Sequence, residues 1–265
     1  MGKTIGIVSL KGGVGKTSIT AALGDAISKF GKKVLLIDGN LSAPNLGLHF
    51  NIVDPKASLH HVLDRTVNAS DAVCSVGNFD LLPSSIFGKL NSSSPLKLKD
   101  RIGGLKNKYD FLVLDSSPSL DEETLGVMMA SDEILVVSTP DHPTLSNTIS
   151  AIRAARQRGV PIVGIVLNRV YGKDFELSLK EIEDVVGVPV MAVIPHDLSV
   201  LKALSNFETI SSYKPKAKGS EEIRKLASLL IGERYEVPKL RRFFGWVSPE
   251  RQEINRQVYY NELFK

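Results

Sequence analysis

Cysteine is almost absent from this chain. Cys74 is the single one among 265 residues, so one copy can form neither a disulfide framework nor a multi-cysteine metal cage. Long hydrophobic runs are missing too: no uninterrupted apolar stretch reaches the roughly 18 residues of a membrane-spanning helix. A basic-then-apolar leader is also lacking after Met1, because the first β-branched run passes at once into a glycine-rich segment. The cytoplasm is therefore the expected location. Charge of one sign is in small excess, +4 net with a pI near 9.0, which is too little to argue for nucleic-acid binding by itself. No internal repeat is visible. What the chain does have is apolar mass: 43% hydrophobic residues over this length can bury the core of one large α/β domain.

Residues 11 to 17 read Lys-Gly-Gly-Val-Gly-Lys-Thr. They follow the run Thr4 to Ser9 and lead into Thr17 to Phe30, where Ile19, Leu23, Ile27 and Phe30 recur at helical spacing. Strand, glycine loop and helix stand in the order a phosphate site needs. Gly12, Gly13 and Gly15 let successive N–H groups turn toward phosphate oxygens, and the helix adds its positive dipole end there. Val14 lies within the loop and Ser18 just past it. Lys16 is placed to reach the β- and γ-phosphates and Thr17 to ligate Mg²⁺. The strict pattern GxxxxGKS/T is broken at its first glycine, where Leu10 stands, and a second lysine, Lys11, stands at the loop entrance.

Further apolar runs at Val34 to Ile37, Phe79 to Leu82, Phe111 to Leu114, Ile134 to Val137, Val163 to Leu167 and Val190 to Ile194 alternate with helical patterns. Helices are expected at 121–131, 144–158, 176–186, 198–205 and 219–231. Alternation of this kind implies βαβ units and a mostly parallel sheet with helices on both faces. Residues 84–100, rich in serine, read as a surface loop. In such sheets ligands lie beyond the carboxyl ends of the strands, so the residues after each run carry the chemistry. His60, His61 and His142 have no metal-ligand spacing and read as surface or structural residues.

The string Lys11 to Thr17 resembles the MinD/ParA group of deviant Walker ATPases, whose loop begins with the same extra lysine. The resemblance spans about residues 3 to 231. It implies the SIMIBI-type P-loop NTPase fold, a three-layer α/β sandwich, with ATP and Mg²⁺ as cofactors and an ATP-dependent homodimer in which Lys11 reaches the partner's phosphates. Relatives that hold clusters or zinc with paired cysteines do not fit a lone Cys74.

The same resemblance implies roles after each strand. Asp38, in Asp38-Gly39-Asn40-Leu41-Ser42-Ala43-Pro44-Asn45, matches the first-switch aspartate that holds Mg²⁺ through water, and Asn45 matches the residue that reaches the γ-phosphate side. Asn40 departs from the family's aspartate. An amide can orient water but cannot accept its proton, so slow hydrolysis is expected; a solvated turn residue is the other reading of Asn40. Asp115 matches the Walker B aspartate beside Mg²⁺, although Ser116-Ser117-Pro118-Ser119 carries its proline one place late. Asn168 and Arg169 resemble the pair whose asparagine bonds adenine, and Pro195 and Asp197 the segment flanking the purine. As alternatives, Asn168 could cap a strand end and Asp197 a helix. No guanine-reading Asn-Lys-x-Asp motif is present.

The domain is expected to end near residue 232, leaving 233–265 as a tail. Within it, Leu240, Phe243, Phe244 and Val247 form one helical apolar stripe, with Lys239, Arg241 and Arg242 off it and Trp246 at its edge. This resembles the membrane-targeting helix of MinD proteins. Packing of the stripe on the protein's own body or on a partner is the competing reading. Ser248 and Pro249 can start a further helix, Arg251 to Lys265, with Ile254, Val258 and Leu263. Three functions remain open: a MinD-like switch positioning a partner complex at the membrane, a ParA-like ATPase binding DNA nonspecifically, or a nucleotide-binding scaffold with little turnover. The protein cargo or activator has no signature in the sequence.

Overall fold

A computed structural model of the chain describes residues 1–91, 93–233, 235 and 250–263. Eight strands form one sheet: β1 (Lys3–Val8), β2 (Val34–Asp38), β3 (Cys74–Val76), β4 (Phe79–Leu82), β5 (Phe111–Asp115), β6 (Glu133–Ser138), β7 (Ile162–Val170) and β8 (Val190–Pro195). Their order is β3-β4-β2-β5-β1-β6-β7-β8, and all neighbours run parallel except the β3–β4 hairpin.

Side chains alternate across each strand and so feed two cores. Leu36 and Val113 pack on one side with Leu23 and Ile27 of α1 (Lys16–Ser28) and Ile223 and Leu226 of α9 (Lys218–Leu230). Leu35, Ile37, Leu112 and Leu114 face the other side, against α4 (Glu122–Ala130), α5 (His142–Gln157) and α6 (Leu179–Val186). The result is the expected three-layer α/β sandwich. Helix starts carry their caps: Asp121 accepts the Thr124 N–H at 2.9 Å, Asp141 the Thr144 N–H at 2.9 Å and Ser178 the Glu181 N–H at 3.2 Å.

Several elements differ from the sequence expectation. Residues 84–100 are not simply a surface loop, because Ser84 and Ser85 are buried and Leu98 begins α3 (Leu98–Ile102). The Ser84 hydroxyl donates to the Asp38 carbonyl at 2.7 Å, which draws this segment inward. Short helices α2 (Leu59–Leu63), α7 (Ser199–Ser205) and α8 (Ile210–Tyr213) complete the series up to α9, and α2, α8 and β3 hold too few residues to show periodicity. Asn168 and Arg169 lie within β7 rather than after it. His60 is buried, and burial lowers the pKa of its imidazole.

The last helix, α10 (Arg251–Leu263), lies along β8. Ile254 and Val258 face solvent, and polar side chains make the contact instead. Asn255 donates to the Val190 carbonyl at 2.8 Å, and Arg256 donates to the Met191 carbonyl at 2.7 Å and to Glu222 at 2.9 Å. The stripe Leu240, Arg241, Arg242, Phe243, Phe244, Trp246 and Val247 lies outside the described residues, as do Ser248 and Pro249. Among the described residues no helix is long and apolar enough to cross a membrane.

Candidate functional site

β1, β2 and β5 end side by side, and the site grows from their carboxyl ends. The β2–β5 register sets Asp38 directly beside Asp115. β1 releases the chain at Val8 into the glycine loop, which enters α1 through Gly15 with φ +90°. That angle is costly for any residue with a Cβ, and a Cβ at position 15 would also meet Asn168 Nδ2 at 2.3 Å. Gly13 takes φ +80° with open space around it.

Asp115 is fully buried and ties the loop to the sheet. Its carboxylate accepts from Lys16 Nζ at 3.1 Å, Thr17 Oγ1 at 2.6 Å and Thr20 Oγ1 at 3.1 Å. Lys16 also donates to the Ser116 carbonyl. Asp38 is fully buried as well, and accepts the N–H groups of Asn40 at 3.2 Å and Leu46 at 3.0 Å. Burial first, and then the charge of Asp115, push its carboxyl up to about 7, against the pull of those two N–H groups and of Lys16. A cation near this pair would relieve both effects.

Among the described residues no group of three or more His, Cys, Asp or Glu side chains is gathered to hold a metal. Two carboxylates and a threonine hydroxyl suit Mg²⁺ instead, which keeps waters and takes phosphate oxygens to complete its shell. Thr17, Asp38 and Asp115 are therefore the residues that could hold the ion together with a nucleotide.

A cleft of about 610 Å³ is lined by the whole loop from Lys11 to Ser18 and by Asn40, Asn45 and Arg169, while the buried Asp38 and Asp115 are not part of its lining. Asn40 and Asn45 both donate to the Ala43 carbonyl, at 2.6 and 2.8 Å. Asn40 lines the cleft, and its Oδ1 is buried with no partner. Lys11 Nζ reaches Thr144 Oγ1 at 2.7 Å and Asp141 Oδ1 at 3.3 Å, so in this state it lies on the start of α5.

The expected base contacts are more scattered. Asn168 Nδ2 donates to the Val14 carbonyl at 2.7 Å and so braces the glycine loop. Asp197 accepts the Ser199 N–H at 2.7 Å, a turn bond one residue before the N-cap of α7, which is Leu198 and not Asp197 as the alternative reading has it, and this bond holds its carboxyl below the usual range. Asn168, Pro195 and Asp197 do not line the cleft, whereas Arg169 does, in the left-handed region at φ +56°. His196, between Pro195 and Asp197, stacks on Tyr171 with centroids 4.6 Å apart.

Two residues join the site without any signal in the sequence. His49 Nδ1 lies 2.9 Å from the Asn45 carbonyl and its Nε2 3.4 Å from Ser18 Oγ, on the cleft wall. Glu123 accepts the backbone N–H groups of Leu41 and Ser42, at 3.0 and 3.1 Å. No local pattern marks either residue, because both act on loops that the chain pattern does not connect to them.

A glycine loop at a helix N-terminus, a buried lysine and paired strand-end carboxylates define a P-loop nucleotide-binding protein. Comparison with known proteins agrees. Residues 2–158 match the AAA domain family. An uncharacterized ATP-binding protein of Methanocaldococcus jannaschii is 34% identical over 232 residues, covering 86% of this chain and 88% of its own. The cell division ATPase MinD of Pyrococcus furiosus has a TM-score of 0.79 at 35% identity, covering 86% of this chain and 98% of that one. The septum site-determining protein MinD of Pyrococcus horikoshii, solved with Mg-ADP, has a TM-score of 0.79 at 31% identity, covering 93% of this chain and 100% of that one. The chain belongs to the MinD/ParA family of deviant Walker A ATPases.

Proposed function

We propose that this protein is a MinD-like switch that binds Mg²⁺ and ATP, dimerises in the ATP state, hydrolyses ATP slowly and positions a partner complex at a membrane. The observation that carries the reading is the cleft itself: Lys16 and Thr17 line it and are held from behind by the buried Asp115, which pairs in register with Asp38, and Lys11 lines it too with a side chain 37% exposed. Bound nucleotide supplies the phosphates that compete with Asp115 for Lys16, and Mg²⁺ supplies charge for the two carboxylates. The residues of the chain do the rest. Loop N–H groups and Lys16 bind and orient the phosphates. Asn40 Oδ1 accepts a hydrogen bond from water at the γ-phosphate side without taking its proton, and turnover is slow for that reason. Lys11, released from Asp141 and Thr144, extends to the partner's site.

The segment 239–247 supports membrane attachment by its pattern alone. Burying three or four of its apolar side chains contributes at most roughly 1.5–3 kcal/mol each. Each basic residue adds about 1 kcal/mol on an anionic surface. One copy then binds weakly and two joined copies strongly, through effective concentration.

Sedimentation of the full chain with Mg-ATP and with Mg-ADP tests the reading, together with phosphate release. Expected is a dimer with ATP, a monomer with ADP, loss of the ATP dimer in Lys11→Ala, and faster release in Asn40→Asp. A Lys11→Ala chain that dimerises normally, or an Asn40→Asp chain that dimerises but turns over no faster, would contradict it.

A further inference from the structure

The loop that carries Asn40 is fastened to its surroundings on both sides of that residue. Before it, the Gly39 N–H donates to the Asp115 carbonyl at 2.9 Å. A Cβ at position 39 would strike that carbonyl oxygen at 2.6 Å and Val127 Cγ2 at 2.5 Å, so only glycine allows the approach. After it, a single carboxylate takes two successive backbone donors. Glu123 Oε2 accepts the Leu41 N–H at 3.0 Å, and Oε1 accepts the Ser42 N–H at 3.1 Å as well as the Ser42 hydroxyl.

A glutamate in the first turn of a helix usually serves its own helix. Here that duty is filled by Asp121, which accepts the Thr124 N–H at 2.9 Å and the Ser117 hydroxyl at 2.7 Å. Glu123 is therefore free to reach across to another loop, some eighty residues earlier in the chain. Its ionised carboxylate accepts only, and its two oxygens match two adjacent N–H groups. Between the two fastenings the Asn40 side chain has a single bond, Nδ2 to the Ala43 carbonyl at 2.6 Å, and its Oδ1 stays unpaired.

We propose that Glu123 is a positioning residue for ATP hydrolysis. It holds Leu41 and Ser42 so that Asn40 Oδ1 keeps one orientation toward attacking water, and it links that orientation to α4 and the 116–121 turn. The inference rests on the ATPase reading. In the reaction the water oxygen bonds to the γ-phosphorus, the bond from that phosphorus to the bridging oxygen of ADP breaks, and the water's proton leaves with the phosphate. Glu123 touches none of these atoms and acts through Asn40.

The test compares Glu123→Ala and Glu123→Gln in the full chain, with Mg-ATP turnover, ADP affinity and amide exchange as readouts. Glutamine keeps one acceptor but turns an NH₂ toward a backbone N–H, so it holds one of the two donors. Expected for alanine is a fall in kcat of about tenfold, with KM and ADP affinity within about twofold, since the phosphate loop is untouched. Glutamine falls between alanine and wild type. Amide exchange at Leu41 and Ser42 quickens on the same order. A merely structural role does not predict the remaining readout: in an Asn40→Ala background, Glu123→Ala becomes silent, because the two residues act as one unit. Additive effects, an unchanged kcat, or a loss of ADP affinity equal to the loss of kcat would each overturn the inference. A wild-type chain with no turnover at all removes the ATPase reading and this inference together; normal turnover with a silent Glu123 removes this inference alone.

Discussion

Asp38 shows what burial does to one carboxyl group. Its pKa is about 7 in the folded chain against an ordinary 3.8, so between those values the folded state holds a proton that the unfolded state has released. The stability this contributes is complete below the lower value and is lost as pH rises through about 7. His60, whose pKa is lowered by burial, works in the opposite direction, since its contribution is lost as pH falls. The Asp38→Asn variant separates the two. Without nucleotide or Mg²⁺, the variant's melting temperature gains on the wild type's between about pH 5.5 and about pH 8; added Mg-ADP lifts the wild type at the upper pH and the variant much less. Equal pH slopes in a thermal scan would mean that Asp38 is not the group that titrates. Much of the residue-level chemistry is legible in the sequence. Lys16, Thr17 and Asp115 meet because each lies at the end of a recognisable strand or the start of its helix. Asn168 is legible only as a residue after an apolar run, read there as an adenine contact or a strand-end cap; its bond to the Val14 carbonyl spans a 154-residue separation that no local pattern encodes.

At the scale of elements, α10 is the clearest departure from pattern. Ile254 and Val258 suggest an inward stripe, yet the helix turns them out and uses Asn255, Arg256, Tyr259 and Tyr260 against the body. The reason is that β8 offers backbone carbonyls and that Glu183 and Glu222 offer carboxylates, partners that only the assembled sheet brings together. Arg256 and Glu222 are 9% and 11% exposed, and each has a second partner, the Met191 carbonyl for Arg256 and Lys225 for Glu222. Because Glu222 keeps Lys225, the Arg256→Ala chain should lose about 1.5–3 kcal/mol in denaturant unfolding, and the Arg256→Ala/Glu222→Gln pair should recover part of that loss. No recovery would mean that the bond to the Met191 carbonyl dominates. The bounds of α4, α5 and α6, by contrast, are readable from helical pattern within about three residues, and the caps Asp121, Asp141 and Ser178 fix where each starts.

For the whole molecule, alternating apolar runs and helical patterns are enough to read the three-layer sandwich, since each parallel strand is buried on both faces. The membrane and DNA readings are decided by the assembled protein. Because α10 packs on the body, truncation would confuse loss of attachment with loss of folding; Phe243→Ser, Phe244→Ser and Trp246→Ser in one chain leave α10 intact. Cosedimentation with anionic vesicles should need ATP and vanish in that variant, while retention on duplex DNA stays negligible at moderate salt. Salt-sensitive DNA retention in the ATP state with no vesicle binding would favour the partitioning reading.

Val190 uses its N–H on Glu183 and its carbonyl on Asn255, and the Met191 carbonyl accepts from Arg256. These bonds occupy backbone groups at the start of the outermost strand, so an incoming extended peptide finds Val190 and Met191 already engaged. At the opposite margin β3 is three residues long, too brief to template a neighbour. Among the described residues, neither the Val190–Met191 stretch nor β3 thereby invites a continuous ladder between copies of this chain.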